Sequence, residues 1–180
     1  METLANVATS VPFIYIGLQA PRKDMANKMY ADSIIGIGVA SSLYHTSRGE
    51  IRRVFRWGDH VMISASTLCL TRALWKQRRK VSAKEIRPNG LIVASTLLLP
   101  FKPSVVTAVH IGLSEASFYR EMSKKEKEGN KRLTRIHALS SILGPALFVV
   151  DGFLPEVPFI HAAWHLVAAI SVATYTKLLH

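Results

Sequence analysis

Apolar residues along this chain come in blocks rather than stripes. Seven blocks stand between breaks rich in charge, Pro or Gly: about Asn6–Gln19, Met29–Tyr44, Phe55–Leu74, Asn89–Phe101, Val105–Tyr119, Ile136–Val150 and Val157–Leu179. A helix of a soluble bundle shows apolar residues at i, i+3, i+4 and i+7 and charges on the opposite face. These blocks carry few charges, and Ser, Thr, Gly and Ala fill the places between the large apolar side chains. Small residues such as Gly36, Gly38, Ala40, Gly144 and Ala146 suit close approach of helices in lipid. The pattern predicts an all-α fold, an integral membrane bundle of seven transmembrane helices forming a single domain over 1–180. Several blocks are shorter than the roughly 20 residues of a perpendicular span, the fourth most of all, so flanking residues or a thin bilayer must make up the difference.

Composition alone does not choose this fold, since an apolar fraction of 49% and a mean hydropathy of +0.20 are close to those of soluble domains. A single cysteine, Cys69, rules out an intrachain disulfide framework. The net charge of +11 is decided by position. If the seven blocks alternate across a bilayer, only Arg48, Arg52, Arg53, Arg56 and Lys102 of the 23 Lys and Arg residues fall on the amino-terminal side. The positive-inside rule then places the carboxyl terminus in the cytoplasm or its equivalent and the amino terminus on the lumenal or exterior side. Lys76–Lys84 and Lys124–Arg135 read as solvated flanks of spans rather than nucleic-acid patches, and Trp57, Trp75 and Trp164 as an interfacial aromatic belt. Met1–Ala5 has no basic region of the kind that opens a cleavable signal peptide.

Candidate chemistry sits at the ends of the blocks. His161 and His165 are an i, i+4 pair, so both imidazoles lie on one helix face and can address one object. Ser41 and His45 share a face in the same way, and Asp59 lies at the entry of the third block. On the alternating topology all five fall on the amino-terminal side at similar depth. Ionisable groups inside spans are costly and usually face the bundle interior as partners, so five together weigh more than any one. Neutral imidazole is the commonest metal ligand, and three of them leave a coordination position open, as catalytic zinc sites do. Each residue also has a plainer use. The histidine pair could serve interhelical hydrogen bonding, Ser41 helix packing, and Asp59, after Trp57-Gly58, an N-cap. His60 points about 100° away from Asp59 and has a supporting or structural part. His110, Glu115 and His137 read as helix-pairing or interfacial groups.

Ser-x-x-x-His in the second block, Asp in the third and His-x-x-x-His in the seventh resemble the signature of a superfamily of seven-span membrane hydrolases. It includes alkaline ceramidases, progestin and adiponectin receptors and myomaker-like proteins. The resemblance implies a zinc ion held by His45, His161 and His165, with Asp59 and Ser41 beside the attacking water, and hydrolysis of an amide or ester bond of a membrane lipid. Asp59 is suited to take a proton from water and return it to the leaving group, and Ser41 to donate to the developing oxyanion. The competing expectation is a non-enzymatic receptor or membrane-remodelling protein that keeps zinc as a structural staple. A water-handling Asp and Ser beside three ligands favour the enzyme, because a structural site closes with four.

Overall fold

The computed structural model describes residues 1–79, 98–125, 131–154 and 156–180. These form six α-helices and no strand: α1 (Glu2–Gln19), α2 (Met25–Thr46), α3 (Gly49–Arg79), α4 (Pro103–Lys125), α5 (Lys131–Phe153) and α6 (Ile160–Leu179). The fourth apolar block lies largely outside the described residues; its last four, 98–101, form a turn.

The start and end of α2 show how local sequence sets the path. Asp24 caps its amino terminus, accepting the Asn27 N–H at 3.0 Å and satisfying one of the free donors of the first turn. That hydrogen bond, with Lys76 beside it, holds the Asp24 carboxyl below the usual carboxylate range. Lys76 Nζ lies 3.2 Å from Asp24, so the end of α3 is fastened to the start of α2. At the other end Ser47 N–H donates to the Leu43 carbonyl, and Gly49 adopts φ of +60°, a left-handed conformation that costs a glycine little, before α3 departs antiparallel.

Helix α1 packs on α2, α2 on α3, α3 on α4, α5 on α6, and α6 closes on α1 while also touching α3. Between α1 and α2 the approach is very close. A Cβ at Gly38 would meet the Ser10 carbonyl at 2.9 Å, and one at Gly17 the Ala31 carbonyl at 2.8 Å. Gly36 faces Met62 of α3. Gly144 has only an ordinary neighbour in Val167, and Ala146 is exposed, so the expected small-residue packing holds for α1–α3 and fails for that stretch of α5. Helix α4 is joined to α5 and α6 by a polar clasp. Glu115 accepts from Tyr175 Oη at 2.7 Å and Ser141 Oγ at 2.8 Å and meets His137 Nε2 at 2.9 Å, while His137 Nδ1 reaches Thr174 Oγ1 at 2.6 Å. Glu115 and His137 thus pair helices, as their positions suggested. His110 Nδ1 lies 3.4 Å from the Ser64 carbonyl.

Polarity is distributed inside out. Among the described residues, buried polar side chains are as numerous as buried apolar ones and include Ser10, Ser41, His45, Asp59, Ser64, His137 and His165. Leu139 and Ile142 of α5 are each 71% exposed, Phe153 81% and Leu4 of α1 72%. Helices α5 and α6, of 23 and 20 residues, are long and apolar enough to cross a membrane. The other described helices fall short on apolarity, so the expected count of seven spans is not met by length and composition. In α1 and α2 the residues that lower the average, such as Asn6, Ser10, Asn27, Ser33 and Ser41, are turned inward.

The helix boundaries also correct a sequence expectation. Helix α3 begins at Gly49, so Asp59 lies well inside it and caps no helix start.

Candidate metal centre

Three histidines from two distant parts of the chain converge at the amino-terminal end of the bundle. His45 comes from the last turn of α2, His161 and His165 from the first turns of α6. Helix α6 starts at Phe159, whose φ of 67° turns the chain sharply, and the Phe159 carbonyl accepts the Ala163 N–H at 2.9 Å. That start presents residues 161 and 165 on the inward face. The ring centroids are 4.9 Å apart for His45–His161, 5.1 Å for His45–His165 and 4.7 Å for His161–His165. One nitrogen from each ring lies within 4.8 Å of the other two.

Hydrogen bonds settle which nitrogen is available. His165 Nδ1 lies 3.3 Å from the Asn6 carbonyl, which can only accept, and 3.1 Å from Thr9 Oγ1. Nδ1 is therefore protonated and the lone pair is on Nε2. His161 Nδ1 stands 2.8 Å from Asp151 Oδ2 on the last turn of α5, which fixes the same tautomer. His45 Nε2 is buried and has no hydrogen-bond partner. An orphaned nitrogen in the interior costs free energy unless something binds it. Three imidazoles with two carboxylate or carbonyl props and one orphaned lone pair fit zinc, which favours nitrogen ligands at about 2.0–2.1 Å in tetrahedral array.

Of the remaining two sequence candidates, Ser41 reaches this cluster through Ser10, and among the described residues no contact joins Asp59 to it. Ser41 is buried, and its Oγ lies 2.8 Å from Ser10 Oγ, which in turn is 3.5 Å from His165 Nδ1. Asp59 is buried with Oδ1 unpartnered. His60 Nδ1 is likewise buried and unpartnered, while the His60 carbonyl accepts from Thr107.

Several residues that shape the centre escape notice in the sequence. Asn6, Thr9 and Ser10 look like ordinary small polar residues of a span, and only the packing of α6 on α1 gives them His165 to hold. Asp151 has a visible signal, a carboxylate at the end of an apolar block ten residues before the histidine pair. Trp164 is half-buried, packing on Phe148 and edge-on to His161 with centroids 5.1 Å apart in each case, so it walls the site rather than joining an interfacial belt. Trp57 is exposed and donates to the Leu99 carbonyl at 3.3 Å.

Asp151→Asn tests the carboxylate prop on His161. Zinc affinity, measured by competition with a chromophoric chelator, is expected to fall about 10- to 100-fold, the usual cost of removing a ligand's hydrogen-bond partner. Unchanged affinity shows that the hydrogen bond has no part in holding the ligand.

No family model matches the chain, and no curated protein or solved structure is significantly similar to it.

Proposed function

We propose that this protein is a zinc-dependent intramembrane hydrolase that cleaves an amide or ester bond of a membrane lipid, in the manner of the seven-span superfamily its motifs resemble. The observation that carries the reading is the meeting of His45 from one helix with His161 and His165 from another, each with a nitrogen available, in a bundle whose polar groups face inward. Zinc held there supplies Lewis acidity and lowers the pKa of water toward 7.

The chain's own groups account for the rest. Asp151 and the Asn6 carbonyl orient two imidazoles before any ligand arrives, so little reorganisation is needed on binding. Asp59 takes a proton from the attacking water and delivers it to the leaving amine or alkoxide, a general base that becomes a general acid. A buried carboxylate oxygen with no internal partner is suited to that task because nothing competes for its lone pairs. The Ser41–Ser10 pair either turns a hydroxyl toward the oxyanion or steadies His165 through Ser10. Exposed apolar residues on α1 and α5 face acyl chains, the bundle spans the bilayer with its amino terminus lumenal or exterior, and the acyl groups of the substrate enter from that side of the helices.

Protein reconstituted in vesicles and offered ceramides, phospholipids and galactolipids is expected to release fatty acid from at least one class. The release should stop on chelation and return with zinc. Zinc-replete protein that hydrolyses none of them would sink the reading in favour of a structural metal.

A further inference from the structure

Four arginines crowd the metal end of the bundle: Arg48 in the α2–α3 linker and Arg52, Arg53 and Arg56 in the first turns of α3. On the alternating arrangement this face carries almost no other Lys or Arg, so the cluster runs against the usual bias. Two of the four have local explanations. Arg48 donates to the carbonyls of His45 at 3.2 Å and Ser47 at 3.0 Å, closing the carboxyl end of α2, and to Thr3 at 3.4 Å. Arg53 forms an exposed pair with Glu50 at 2.9 Å, of a kind that contributes little.

Arg52 and Arg56 are different. They lie one turn apart on the same face of α3, and neither has a carboxylate within ion-pair distance among the described residues. The Arg52 guanidinium carbon sits 4.8 Å from the centroid of the Tyr44 ring, and that ring's centroid is 4.6 Å from the centroid of His45. An aromatic face holds the guanidinium in place, so less side-chain entropy is lost when it binds something. The planar fork matches phosphate with two parallel hydrogen bonds. Only a few covalent bonds separate the acyl carbonyl of a phospholipid or a phosphorylated ceramide from its phosphate. Two short steps likewise separate Arg52 from a candidate zinc ligand.

We propose that Arg52, with Arg56 beside it, binds the phosphate of a lipid headgroup, so that the substrate of the metal site is a phosphorylated lipid rather than a neutral ceramide or galactolipid. The word substrate rests on the hydrolase reading; the phosphate site stands apart from it.

The full-length, zinc-loaded protein in neutral detergent is titrated with two matched pairs, ceramide 1-phosphate with ceramide and phosphatidic acid with diacylglycerol, at equal acyl length. The phosphorylated member of each pair is expected to bind about 10-fold or more tighter, the factor of one charge-assisted hydrogen bond. Arg52→Gln and Arg56→Gln should shrink that ratio, most in Arg52→Gln, and Arg53→Gln should leave it as it is. Zinc content of each variant reports folding. Equal binding within the pairs, or a ratio that survives in both Arg52→Gln and Arg56→Gln, overturns the proposal. Vesicles made anionic with cholesteryl hemisuccinate, which carries charge without phosphate, provide the other arm. Loss of the preference there means that the arginines read surface charge, which also overturns it. Turnover followed in the same samples separates the two ideas. Preferential binding without hydrolysis removes the enzyme and keeps the phosphate site; hydrolysis without preference does the reverse.

Discussion

Replacing His161 or His165 by alanine is expected to strip zinc from the purified protein. Each change would remove one of the three candidate ligands, and the two left are not expected to hold the ion against water and buffer. The loss in affinity should exceed the about 10- to 100-fold that follows from removing a hydrogen-bonding prop such as Asp151, because a bond to the metal disappears rather than its orientation. Elemental analysis of wild type should find about one zinc per chain. Helix content by circular dichroism separates loss of metal from loss of fold. His45→Ala is expected to behave in the same way, since its Nε2 is the orphaned atom. Full zinc occupancy in both α6 variants would remove the metal assignment.

Asp59→Asn is expected to lower hydrolysis while keeping zinc and fold. Asparagine preserves size and can donate a hydrogen bond, but it cannot take up a proton at neutral pH. Loss of general acid–base catalysis is typically 10²- to 10⁴-fold in kcat, or roughly 3–5 kcal/mol of barrier. That is well beyond what altered packing at one buried side chain explains through local geometry. Two other outcomes are informative. Wild-type turnover in Asp59→Asn shows that the proton travels by another group, for which unpartnered His60 Nδ1 is the nearest in sequence. Joint loss of zinc and activity makes Asp59 a prop for the ligands instead. Ser41→Ala should cost less, on the order of 10²-fold as for one oxyanion donor. Its effect now has two routes, because the change also strips Ser10 of its partner beside His165.

The histidine triad was legible in the sequence because helical spacing turns i, i+4 into a shared face, and up-and-down alternation of packed helices brings their ends together. Depth was less legible. Apolar blocks mark where side chains avoid water, whereas helices continue as long as backbone hydrogen bonding does. Helix α3 therefore starts six residues before its block, moving Asp59 from a helix entrance to its interior. The props were invisible for another reason. Asn6, Thr9 and Asp151 acquire their parts only when α1 and α5 pack against α6, and nothing in their own neighbourhoods marks them. Trp164 misled because tryptophan at the end of an apolar block has two homes, a lipid interface or a wall of a site, and only its packing on His161 decides. Only two of the described helices are long and apolar enough to cross a membrane, since hydropathy averages over all faces of a helix while burial does not.

Two of the three candidate metal ligands, the carboxylate that props one of them, and the Tyr175 and Thr174 ends of the polar clasp all belong to the last two described helices. During synthesis the candidate centre is complete only once α6, the last described helix in chain order, has been made. A truncated product lacking α6 carries His45 alone, with the inner faces of α1 and α5 uncovered. Assembly of the candidate centre is thereby tied to one event late in the described sequence, the docking of the α5–α6 pair on α1.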